Sequence, residues 1–254
     1  MINRTLLALA LFALITGIGT AAIGAGGIFL IIALYVFTPI SPSTIAGTMS
    51  ATSIATALLV TYYALNTDEL LHGAERTLAV LLSVTGALGA VVGAELNTTL
   101  SEATFGVVLG GFTAVVGLLL IYRRVQGVAP AILVDPTVRR GQIAFGGFGF
   151  IVGVIGSVFG IGGPVIATPV LVLLGTPLMA AVAVAQIQSI FLSGSATLAY
   201  AAHGAVSGPL VIALGIPQLI GVVLGWQVAH RVEAARLELV LGAVLLIVGG
   251  YVAM

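Results

Sequence analysis

Two apolar stretches, residues 5–37 and 143–174, are too long to be single straight membrane-spanning helices, and each carries the same glycine interruption. Each runs to about 32 residues, or roughly 48 Å of helix at 1.5 Å per residue. The hydrocarbon core of a bilayer is only about 30 Å thick. The first stretch holds Gly24-Ala25-Gly26-Gly27 and the second Gly160-Ile161-Gly162-Gly163. Glycine lets a helix stop, turn and expose bare backbone. In lipid such an interruption is tolerated only where protein or a water-filled cavity covers it. Two of them in corresponding places point to a solute site.

Composition sets the solvent. Of 254 residues, 60% are hydrophobic and 6% charged, with a mean hydropathy of +1.27. A soluble domain carries about 25% charged residues, so the chain is expected to be a multi-pass protein of the cell membrane, surrounded by lipid. All eight basic residues are Arg and the net charge is zero, which removes nucleic acid as a partner. No cysteine is present, so disulfides, thiolate metal sites and a cysteine nucleophile are excluded. The first residues, with Arg4 ahead of a Leu/Ala run, look like a signal peptide. The matching stretch at 143–174, deep in the chain, argues against that reading.

Charge and breaker residues mark eight apolar segments: 5–37, 43–65, 76–95, 103–122, 142–174, 178–202, 208–229 and 236–253. Between the fourth and fifth lies the longest polar connector, with Arg123, Arg124, Asp135, Arg139 and Arg140, kept from being one helix by Pro130 and Pro136. The expected organisation is a first transmembrane repeat over 1–126, a cytoplasmic connector over 127–140 and a second repeat over 141–254. The repeat is read from recurring features. Thr38-Pro39 recurs as Thr176-Pro177, Gly89-x3-Gly93 as Gly221-x3-Gly225, and Val107–Gly111 resembles Leu239–Ala243.

Arginine placement chooses between two topologies. If every segment crosses once, six arginines share a side and two oppose them. If segments one and five dip in and return at the glycines, seven share a side and only Arg4 is opposite. The second arrangement gives each half an odd number of crossings. The predicted fold is therefore an all-α, polytopic transmembrane bundle of two inverted four-segment repeats with glycine-broken first and fifth segments.

A helix that starts inside the bilayer leaves N–H groups without intrahelical partners and carries about half a positive charge at that end. Segments 28–37 and 165–174 would start at the glycines, and Pro164 suits a first helical position. Their amides near Gly26, Gly27, Gly162 and Gly163 could hold an anion without a buried Arg or Lys. The alternative is that these glycines only permit close helix packing. In the segments that follow, Thr48, Ser50, Gln186 and Ser189 could add neutral hydrogen bonds. Gln186 carries the stronger signal, because a glutamine in mid-membrane is costly without partners. Single serines and threonines there are more often glue between helices. The two Gly-x3-Gly pairs read as packing faces, within or between the halves, and could also serve a homodimer.

Other chemistry finds little support. His72, His203 and His230 stand beside expected loops with no metal spacing, and no cofactor is expected. Glu95 is the deepest acid, either interfacial or a proton-coupling group. No set of serine, histidine and acid has a spacing that would assemble a catalytic site in the membrane, so no enzyme is expected. A channel-like pore or a cation carrier would need carbonyls or carboxylates at the site.

Phe159-Gly160-Ile161-Gly162-Gly163-x5-Pro169, Gly24–Gly27, Ala46-Gly47-Thr48 with Ser50, and Tyr200-x2-His203-Gly204-x-Val206 together resemble the TauE/SafE sulfite-exporter family, also called the 4-toluene sulfonate uptake permease family. Many members have a third consecutive glycine where this chain has Ile28 and Pro164. The resemblance implies a secondary transporter of small sulfur-containing or organic anions, such as sulfite or sulfonates; the alternative is a permease for another small solute such as a carboxylate, or a channel-like pore. The direction of transport does not carry over.

Overall fold

The computed structural model describes residues 2–24, 26–66, 73–126, 137–229 and 234–252. Among the described residues every regular element is an α-helix. In chain order they are α1 (Ile2–Ile23), α2 (Gly27–Phe37), α3 (Pro42–Asn66), α4 (Ala74–Thr98) and α5 (Glu102–Gln126). They continue with α6 (Arg139–Phe159), α7 (Pro164–Leu173), α8 (Leu178–Ala202), α9 (Gly208–Ala229) and α10 (Ala234–Val252). Seven of these, α1, α3, α4, α5, α6, α8 and α9, contain stretches long and apolar enough to cross a membrane. His72, His230, Arg231 and most of the connector 127–140 lie outside the described residues.

The helix ends at the two glycine runs have local causes. α1 stops at Gly24, whose φ of 78° is left-handed and whose N–H donates back to the Thr20 carbonyl at 3.0 Å. α6 stops at Gly160, φ 76°, through two bonds. The Gly160 N–H reaches Ser157 O at 3.1 Å and the Ile161 N–H reaches Gly156 O at 3.0 Å, the paired helix stop that glycine permits. α7 then opens on Pro164, whose missing N–H costs nothing at a first helical position. α2 runs back beside α1, since Phe37 at its far end has its ring centroid 6.0 Å from that of Phe12.

The main helix pairings have a twofold pattern. α1 packs on α9 and α4 on α6; α3 packs on α8 and α5 on α10; α3 meets α9 and α4 meets α8. Exchanging each helix with the one five places along leaves this set unchanged. The pattern holds at the level of single atoms. A Cβ added at Gly89 would run into the Phe150 carbonyl, and one at Gly221 into the Leu14 carbonyl. Gly93 meets Val154 O, and Gly225 meets Ile18 O. Gly153 meets Gly86 O, and Gly17 meets Gln218 O. The small-residue faces of α4 and α9 thus bring backbone against backbone, each between a helix of one half and a helix of the other.

Apolar packing surrounds this frame. α2 is buried over Gly27–Leu34 apart from the half-buried Phe29, with Ile28, Leu30, Ile31 and Leu34 fully enclosed, and is exposed at Val36 and Phe37. Phe159 joins it to α5, its ring centroid 5.0 Å from Phe112 and 5.8 Å from Phe105. The outer faces carry exposed Leu7, Leu88, Leu198 and Ile247. That surface suits acyl chains rather than water.

Candidate functional site

The two interruptions meet. A Cβ on Gly27 would lie 3.4 Å from Ile161 O, and one on Gly24 would lie 3.1 Å from the Thr168 hydroxyl and 3.5 Å from Pro164 O. Around this meeting point is a small cavity lined by Thr20, Gly24, Gly27, Ser53, Thr56, Ile161, Pro164, Gln186, Ser189 and Gln218. It has room for about one water molecule. An ion with several oxygens would require the walls to part.

Helix geometry determines which backbone groups are available. In α2 the Phe29 N–H bonds the Gly26 carbonyl, and in α7 Ile166 and Ala167 bond that of Gly163. The amides of Gly27, Ile28 and Val165 stand ahead of the first intrahelical bonds. Gly27 and Pro164, the first residues of α2 and α7, both line the cavity.

Side chains complete the walls without a formal charge. None of the ten lining residues is ionisable. Gln186 and Gln218 are 1% and 2% exposed, and Gln186 Nε2 and Gln218 Oε1 have no hydrogen-bond partner. Thr168 Oγ1, close by on α7, has none either. An unpaired buried polar atom costs about 1–3 kcal/mol, so a solute that pairs with these groups recovers part of that cost. The threonines differ. Thr20 donates its hydroxyl proton to Thr16 O at 2.8 Å, and Thr56 donates to Ser53 O at 3.1 Å.

The residues singled out from sequence fall in different places. Gly27, Gln186 and Ser189 line the cavity. Gly26 backs onto α1, where a Cβ would run into the Thr16 carbonyl. Gly162 faces the Ser189 hydroxyl, 2.5 Å from its Cβ position, and Gly163 faces the Gln188 amide at 3.1 Å. Both therefore border the lining without belonging to it. Thr48 is fully buried, and its hydroxyl accepts the Ser207 N–H at 3.1 Å, tying α3 to the loop ahead of α9. Ser50 is buried on α3 and is not in the lining.

Thr20, Ser53, Thr56 and Gln218 line the cavity without having been singled out from sequence, and of these Gln218 had the clearest signal. It follows Pro217 inside α9, where the proline withholds a bond from the Ala213 carbonyl. A glutamine in an apolar run next to a proline carries the same cost as Gln186, and that signal was available. At the rim, Glu95 is half exposed and lies 3.0 Å from His203 Nε2, joining the end of α4 to the end of α8. Among the described residues no group of three potential metal ligands occurs.

No curated protein and no solved structure matches the chain. A family model does, that of the sulfite exporter TauE/SafE, over residues 9–252. With nearly the whole length matched and seven helices suited to crossing a membrane, the chain is a multi-pass membrane protein that belongs to the TauE/SafE sulfite exporter family.

Proposed function

We propose that the protein is a secondary transporter of the cell membrane that holds one small sulfur oxyanion or sulfonate where its two glycine interruptions meet. The observation that carries this reading is the convergence of two helix starts, Gly27 and Pro164, on one uncharged cavity with buried, unpartnered Gln186 and Gln218. Each helix start contributes about half a positive charge, so together they offset about one negative charge where no Arg or Lys is present. The amides near Gly27 and Val165 and the Gln186 and Ser189 side chains would hold the oxygens. Gly26, Gly162 and Gly163 would shape the walls, while Thr48 and Ser50 would serve the packing of α3.

In this reading α1–α2 and α6–α7 re-enter, so each half has an odd number of crossings and the halves are inverted. Residues 1–126 and 141–254 would be the two repeats, joined by a cytoplasmic connector at 127–140. Rocking of one half against the other, across the α3–α9 and α4–α8 faces, would open the cavity to alternate sides. Transport into proteoliposomes tests it directly. Labelled sulfite or an alkyl sulfonate is expected to cross with saturation, and Gln186→Leu to reduce it at least about tenfold. Folded protein that moves neither anion would overturn the reading.

A further inference from the structure

We infer that the passenger is a protonated monoanion, such as hydrogensulfite, and that Thr20 and Thr56 read its O–H group; this rests on the anion-site reading above. Thr20 and Thr56 line the cavity, yet each has already given its only hydroxyl proton to a helix carbonyl, Thr16 O and Ser53 O respectively. A hydroxyl has one proton and two lone pairs. While those bonds are kept, these two oxygens offer a solute lone pairs and no proton. They stand on α1 and α3, in one lining with Pro164 on α7 and with Gln186 and Ser189 on α8, and Thr20 also adjoins the start of α2 at Gly26.

An anion that carries only acceptor oxygens would leave those lone pairs facing negative charge. An anion with one O–H can give that proton to one of these oxygens and turn its charged oxygens to the amides and the glutamine N–H groups. The electrostatics agree. Two helix starts supply about one unit of positive charge in all. A dianion would leave a unit uncompensated, and desolvation cost rises with the square of the charge. The site also has no proton relay of its own. On the walling helices α1, α2, α3, α7, α8 and α9, the ionisable side chains are Arg4, exposed near the start of α1, and the tyrosines 35, 62, 63 and 200. Tyr200 donates to Ser157 O, and Tyr35 to Glu102 O. The proton would then cross bound to the solute, and the Glu95–His203 pair at the rim would have no part in carrying it.

The experiment measures binding to the purified, full-length protein in detergent, with two probes at pH values on either side of the second ionisation of sulfurous acid. Sulfite changes from hydrogensulfite to the dianion across that range, whereas methanesulfonate stays a monoanion without an O–H. If only the protonated form binds, apparent sulfite affinity falls about tenfold per pH unit above that ionisation. Methanesulfonate affinity is expected to be flat with pH and weaker. Thr20→Val and Thr56→Val each remove an acceptor while keeping shape. Each is expected to weaken hydrogensulfite about two- to tenfold and to hold or tighten methanesulfonate, which loses a facing lone pair, with Thr56→Ser restoring hydrogensulfite binding. Gel filtration reports the fold of each variant. Sulfite affinity that does not fall with rising pH, or equal losses for both anions in folded variants, would overturn the inference while leaving an anion site in place. Failure of the folded wild-type protein to bind either anion at any pH would instead overturn the anion-site reading.

Discussion

Gln186 and Thr48 were both singled out from sequence, 138 residues apart like the Thr-Pro pairs, yet they do different things. Gln186 stands on the cavity with an unpartnered Nε2, while Thr48 has its partner in the Ser207 N–H. This gives two predictions with opposite signs. Gln186→Leu removes an orphaned buried amide, so the melting temperature should hold or rise while anion affinity drops about tenfold or more. Thr48→Val leaves the part-buried Ser207 N–H without its partner, so it should cost about 0.5–1.5 kcal/mol of stability and leave anion affinity unchanged. Thermal melts and anion titrations on the same samples separate the two. Glu95 and His203 belong to a third class. Their pair is half exposed at a helix end, and exposed pairs are worth about 0–1 kcal/mol.

At the scale of elements, the glycine runs decide where α1 and α6 end, and the reason is local. Gly160 and Gly162 have φ of 76° and 69°, and a Cβ at Gly162 would press on the Ser189 hydroxyl. Gly162→Ala is expected to cost about 1–2 kcal/mol in backbone strain alone and to weaken anion binding through displaced Ser189. Gly147, on the same α6 helix with nothing within 4 Å of its Cβ position, is the control. Gly147→Ala should be neutral or stabilising by about 0.5–1 kcal/mol. Thermal unfolding of both variants checks the contrast. Helix ends of this kind were legible in the sequence because glycine doublets and Pro164 act within a few residues. The cavity was only partly legible. Thr20 and Gln218 are 198 positions apart and meet because α1 lies on α9, a contact that no local period encodes. The hydroxyl protons of Thr20 and Thr56 point to carbonyls of their own helices, which composition cannot reveal.

The whole molecule has a twofold pairing pattern, but the two sides differ in closeness. α4 lies along α8 more extensively than α3 lies along α9. In an alternating-access protein that asymmetry is expected to reverse when the cavity opens to the other side. The chain has no cysteine, so an engineered pair can be read without background. Thr52 on α3 and Gly215 on α9 are close, the Thr52 methyl lying 3.7 Å from the Gly215 Cβ position. The Thr52 Cβ itself lies more than 4 Å from that position, so a Thr52→Cys/Gly215→Cys disulfide needs a small approach of α3 to α9. It should form in this state and arrest transport, with recovery on reduction; full transport while cross-linked would argue against rocking at this seam. The most direct test of the anion site is a cryo-EM structure of the protein saturated with sulfite below its second ionisation. Density for the anion should appear between Gly27, Pro164, Gln186 and Gln218, with the Thr20 and Thr56 hydroxyls on its protonated side. Density for the anion at any other place, with this cavity still closed, would contradict the proposal.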